Sequence, residues 1–114
     1  MEDRFLEFVW LPTFERTARK LLSDEDRLSI EIQLCEDPTA GELMRRTGGF
    51  RKLRCSLPGR GKRGGARVVY LVDHNHDQVF MALAYAKGDK STLTREEEDE
   101  LRSIARILLS EGDR

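Results

Sequence analysis

Residues 66–73, ARVVYLVD, and residues 78–86, QVFMALAYA, are two apolar runs separated only by His74-Asn75-His76-Asp77. Strand-forming runs on either side of a polar tetrapeptide read as an antiparallel hairpin. Upstream, Phe50 to Leu57 reads as a third strand, joined to the hairpin by the glycine-rich loop Pro58 to Gly65, PGRGKRGG. Working outward, Arg4 to Trp10 is a short aromatic-biased strand that Pro12 stops. From Pro12 to Leu22 the apolar residues Leu11, Phe14, Ala18, Leu21 and Leu22 recur at helical spacing. Ser23 or Asp24 can cap a second helix running to about Glu36, whose buried stripe would be Leu28, Ile32 and Cys35. So short a link between the two predicts an antiparallel helical hairpin. At the other end Thr94 and Glu97 form a capping-box pattern that opens a last helix, with Leu101, Ile104, Ala105 and Leu108 as its apolar stripe and Gly112 at its end. The order βααβββα predicts an α+β fold: an N-terminal strand and helical hairpin packed on a small, largely antiparallel sheet, with a C-terminal helix.

Length and composition narrow the function. A chain of 114 residues predicts a single domain, residues 1–114, large enough to build one modest core. With 36% charged and 39% hydrophobic residues and no apolar stretch near the ~18 residues needed to span a bilayer, no membrane partner is expected. No signal peptide is read at the N-terminus, so the expected compartment is the cytoplasm. Cys35 and Cys55 lack zinc-ligand spacing, and His74 and His76 read as an exposed turn tip, so no metal is expected. Glu96 to Glu100 occupies a helix's first turns, where the macrodipole favours acid, and does not read as a catalytic pair.

Charge is distributed very unevenly. The 30 residues from Leu43 to Val72 contain no Asp or Glu but carry nine basic side chains: Arg45, Arg46, Arg51, Lys52, Arg54, Arg60, Lys62, Arg63 and Arg67. The whole chain has 20 basic and 21 acidic residues, so a nearly neutral total conceals a strong charge separation. One sign concentrated in a single stretch points to a polyanion, nucleic acid first. By strand parity Leu53, Cys55 and Leu57 face one way, while Lys52 and Arg54 face the other together with Phe50. Two cations and an aromatic ring on one surface suit single-stranded RNA, which offers phosphates to pair and bases to stack. Gly59, Gly61 and Gly64 formally spell GxGxxG, but the segment after them reads as a strand and not a helix, which excludes a dinucleotide fingerprint. The loop reads better as a phosphate-contacting finger bearing Arg60, Lys62 and Arg63.

The stretches GGFRKLRCSLPGRGKRGGARVVYLV (48–72) and ALAYAKGDKSTLT (82–94) resemble the RelE/HigB toxins of bacterial toxin–antitoxin modules, part of the RelE/ParE superfamily. The likeness is to the HigB-like branch, with its GTGGxRKxR, GKRGGxR and YxKxxxxxLT segments. Here these are Arg46 to Arg54, with Arg46 in the lead place, Gly61 to Arg67, and Tyr85 to Thr94. The resemblance implies a ribosome-dependent endoribonuclease that cuts mRNA in the A site of the 70S ribosome and blocks translation, without metal or cofactor. It also implies a cognate antitoxin. Carried over residue by residue, Lys52, Arg54, Arg67, Tyr85 and Lys87 are the catalytic candidates. Phe50, Arg51, Arg60, Lys62, Arg63 and Lys90 are candidates for RNA or ribosome contact. The implied chemistry is attack by an mRNA 2′-hydroxyl on the neighbouring phosphate. Two alternatives remain at this level: a ParE-like toxin that acts on DNA gyrase, and a noncatalytic RNA- or ribosome-binding module.

Overall fold

The computed structural model describes residues 5–55, 65–86, 88 and 93–112. Its organising element is the hairpin of β4 (Ala66–Asp73) and β5 (Gln78–Ala86), paired from Ala66↔Ala86 to Asp73↔Gln78 with a bulge at Val69/Tyr70. Residues 74–77 form the turn, which Asp73 holds by accepting from the Asn75 amide at 3.1 Å and meeting His76 Nδ1 at 3.0 Å. The remaining strands are β1 (Glu7–Trp10), β2 (Glu42–Leu43) and β3 (Arg51–Cys55), giving the sheet order β1-β5-β4-β3-β2. Among the described strands only β1 lies parallel to its neighbour; the other pairs are antiparallel. The helices are α1 (Pro12–Ala18), α2 (Asp24–Glu36) and α3 (Arg95–Gly112). The fold is thus α+β, as the sequence predicts.

Alternation along the strands makes two cores, one on each face of the sheet. On one face Phe14 and Ala18 of α1, Leu22, and Ile30 and Leu34 of α2 pack against Leu53, Cys55, Val68, Tyr70, Val79 and Met81. On the other, Leu101 and Ala105 of α3 cover Phe50, Val69, Leu71, Phe80 and Ala82. β4 is therefore buried on both faces.

Helix α1 also completes the edge of β5 where β1 stops. The Leu11 amide donates to the Met81 carbonyl at 3.0 Å, Thr13 Oγ1 donates to the Ala82 carbonyl at 2.6 Å, and the Ala84 amide donates to Thr17 Oγ1 at 3.0 Å. Two threonine hydroxyls satisfy backbone groups that a strand would otherwise have paired. The helix ends at Ala18, short of the expected Leu22, because the Ala18 carbonyl takes both the Leu21 and Leu22 amides at 2.9 Å and turns the chain toward the next cap. There Ser23 and Asp26 form a reciprocal capping box at 2.9 and 3.0 Å.

The expected stripe of α2 is corrected by the structure. Leu28 and Ile32 are 56% and 52% exposed and Cys35 is exposed, whereas Ile30 and Leu34 are buried. Arg27 decides the rotation: its guanidinium pairs with Glu15 of α1 at 2.7 Å and lies 5.3 Å from the Trp10 ring and 5.5 Å from the Phe14 ring. Residues 27, 30 and 34 share one side of a helix, so fixing Arg27 turns Ile30 and Leu34 inward.

Helix α3 opens on the capping box foreseen at Thr94 and Glu97, with bonds of 2.8 and 3.1 Å. Among the described residues no helix is long and apolar enough to cross a membrane. Residues 44–50 join β2 to β3 in a loop closed by the Met44 amide on the Phe50 carbonyl at 2.9 Å. Buried Thr47 braces it, donating to the Met44 carbonyl at 2.9 Å and accepting from the Phe50 amide at 3.1 Å. The path requires left-handed backbone at Arg46, Gly48 and Gly49, with φ of 65°, 80° and 122°.

Candidate functional site

Cross-strand register places the basic residues. Arg54 lies opposite Arg67, and Arg67 opposite Tyr85, so the three form one row across β3, β4 and β5. In the next row Lys52 lies opposite Val69, which lies opposite Leu83, and on its outer side Lys52 faces Glu42 of β2. Leu53 and Cys55 are buried in the opposite core, so the parity read from the sequence holds for Lys52 and Arg54. Both rows are on the face that α3 covers, and the ends of these rows run beyond its cover.

A hollow of about 410 Å³ opens there, lined by Ala40, Glu42, Lys52, Leu53, Arg54 and Arg67. Two guanidiniums directly opposite each other in a sheet repel. Arg67 is half-buried, and its Nη1 is buried with no hydrogen-bond partner among the described residues. A buried cationic donor with no partner among the described residues, beside a second arginine and a lysine, has already lost its water on folding and could be satisfied by an anion. Tyr85 belongs to the Arg67 row but borders a second, apolar hollow of about 410 Å³ between α1, β5 and α3, among Leu11, Leu83, Leu93, Leu101 and Ile104.

Phe50 requires correction. It shares the face of Lys52 and Arg54, yet its exposure is 0%, because Leu101 and Ala105 of α3 pack on that part of the face. It cannot stack on a base. Arg51 is placed apart from the hollow: Nη1 donates to the Gly41 carbonyl at 2.8 Å and reaches the Thr39 carbonyl at 3.5 Å, on the opposite face. It works with Tyr70, whose hydroxyl donates to the Pro38 carbonyl and accepts from the Gly41 amide, both at 2.9 Å. Burial pushes the Tyr70 phenol up. Together they clamp the segment that leads into β2 and so fix one wall of the hollow. Gly41 is needed there, since a Cβ would stand 2.8 Å from the Tyr70 hydroxyl and 2.9 Å from the Lys52 carbonyl.

Arg60, Lys62, Arg63, Lys87 and Lys90 lie outside the described residues. The strand after the glycine-rich loop is present as β4, in keeping with the exclusion of a dinucleotide fingerprint. Glu42 was not among the residues singled out from the sequence. It stands one position before the acid-free window, and only the β2–β3 register brings it beside Lys52.

Cys55 sits under the hollow on the buried side. Burial pushes its thiol up to about 11, outweighing the pull of Arg67. It is inert as a nucleophile. The fold favours the protonated thiol, so this contribution to stability is complete below the ordinary value of 9.0 and is lost as pH rises through about 11. At pH 8 a thiol reagent should therefore label exposed Cys35 rapidly and Cys55 only upon unfolding, giving one fast adduct by mass spectrometry. Two fast adducts would contradict the buried placement of Cys55.

A family model described as the RelE toxin of the RelE/RelB toxin–antitoxin system matches residues 11–113, which defines the chain as the toxin component of such a system. It belongs to the RelE toxin family. Membership in a toxin–antitoxin family implies an antitoxin partner.

Proposed function

We propose that the protein is a ribosome-dependent endoribonuclease that cleaves mRNA in the ribosomal A site and thereby arrests translation. The observation that carries this reading is the grouping of Lys52, Arg54 and Arg67 around one hollow, with a buried guanidinium nitrogen that lacks a partner among the described residues. Arg54 and Arg67 would hold the scissile phosphate and stabilise the charge that builds on it in the transition state. Lys52 would take the proton from the mRNA 2′-hydroxyl. The 2′-oxygen then bonds to phosphorus, the bond from phosphorus to the 5′-oxygen breaks, and Tyr85 or Lys87 supplies the proton to that oxygen. The products are a 2′,3′-cyclic phosphate and a 5′-hydroxyl. The ribosome supplies what a shallow, open site lacks, a fixed mRNA conformation with the 2′-oxygen aligned for attack.

In a ribosome-programmed cleavage assay Lys52→Ala should lower the single-turnover rate by roughly 10²-fold or more. An unchanged rate would remove Lys52 from proton transfer. Strong, salt-sensitive ribosome binding by the wild type with no cut product would instead mark a noncatalytic binding module.

A further inference from the structure

Arg46 is the one long side chain held in left-handed backbone, at φ 65°, among the described residues. Its Cβ disfavours that conformation, which glycine adopts freely. The loop gives it no room to relax: Thr47 is buried and bonded in both directions, the Phe50 carbonyl closes the loop, and Gly48 packs so tightly on α3 that a Cβ there would meet Ala105 Cβ at 3.0 Å. No ion pair or side-chain hydrogen bond of Arg46 among the described residues offsets the strain. Arg45 and Arg46 are both exposed, and among the described residues neither forms an ion pair or side-chain hydrogen bond. Uncompensated strain on a rigid, exposed, charged residue points outward, to a partner.

We propose that Arg46, with Arg45 beside it, is a second contact for the RNA sugar–phosphate backbone, separate from the hollow at Lys52, Arg54 and Arg67. This rests on the reading of the target as ribosome-bound RNA. The loop precedes Arg51, while the Arg54–Arg67 row lies at the far end of β3, on the order of 10 Å further along the strand. Two rigid contacts so separated fix register and orientation on a phosphate backbone in a way one cannot. A protein partner is disfavoured because the tip itself, Arg45 to Gly49, offers charge and no large apolar side chain, the exposed Leu43 lying outside it on β2.

The test compares wild type, Arg46→Gly and Arg46→Lys by thermal unfolding, and by binding to 70S ribosomes and to a short RNA duplex across a salt series. Arg46→Gly removes strain and charge together, so its unfolding midpoint should rise by a few degrees while RNA affinity falls roughly 3- to 10-fold. Its slope of log affinity against log salt should shrink by about one. The ribosome concentration needed for half-maximal cleavage should rise by about the same factor, which reads docking and not chemistry. Arg46→Lys keeps both strain and charge, and should match wild type in stability and stay near it in affinity. If Arg46→Gly is stabilised but binds both RNA probes with unchanged affinity and slope, the inference is overturned; so it is if wild type binds neither. Should wild type fail to cut mRNA on ribosomes while Arg46→Gly still loses affinity and slope on the duplex, the nuclease reading fails and the Arg46 contact stands.

Discussion

Replacing Arg67 with Met should abolish most cleavage and make the protein more stable. The loss follows from removing a donor aimed at the charge that develops on phosphate, worth roughly 10²- to 10³-fold in rate. The gain follows from the structure around the residue. Arg67 Nη1 is buried without a partner among the described residues, and its strand neighbour across the sheet is Arg54, another cation. A buried unsatisfied polar group costs about 1–3 kcal/mol, and a like-charge cross-strand pair adds to that, whereas Met keeps a similar unbranched stem. Each kcal/mol recovered in a chain of 114 residues should raise the unfolding midpoint by about 3–5 °C. Opposite signs in stability and activity are the mark of a residue kept for its site. A fall in both would show instead that Arg67 holds the sheet together.

Phe50→Ala should act in the reverse manner, with a heavy cost to stability and none specific to RNA. Phe50 is fully buried beneath Leu101 and Ala105, beside Val69, Leu71 and Phe80, and truncating such a ring costs about 3–5 kcal/mol. The effect should be visible as a much lower denaturant midpoint. Phe50→Leu, which refills most of the volume, should remain folded and bind RNA and cut it as wild type does. Were Phe50 a stacking platform, the leucine variant would lose affinity while remaining folded.

The two strands at 66–86 were legible because polar turn residues punctuate them, and the capping box at Thr94 because its chemistry is local. The rotation of α2 was not. Its sequence offers apolar residues on both sides, Leu28 and Ile32 on one and Ile30 and Leu34 on the other, and helical periodicity cannot choose between them. The choice is made by Arg27, whose partners Glu15, Trp10 and Phe14 belong to other elements. β2 is two residues long and exists only as the partner of Lys52 and Arg51, below what propensity can detect.

The site divides in the same way. Strand parity placed Lys52 and Arg54 together from sequence alone, because alternation is intrinsic to a strand. It could not show that the same face is open at Arg54 and roofed at Phe50, since α3 supplies the roof. Nor could it show that Arg51, one residue from Lys52, spends its guanidinium on the Gly41 and Thr39 carbonyls. Basic residues with one sequence signature thus serve separate ends: Arg51 builds the wall, and Lys52, Arg54 and Arg67 line the hollow.

The most direct test is 5′-end mapping of transcripts after brief induction of wild type, Lys52→Ala and Arg67→Met. The expected result is a set of new 5′ ends within translated frames, carrying 5′-hydroxyls, present with wild type, strongly reduced in both variants and suppressed when initiation is blocked. New ends that persist in both variants, or arise equally on untranslated RNA, would contradict a ribosome-dependent nuclease centred on Lys52, Arg54 and Arg67.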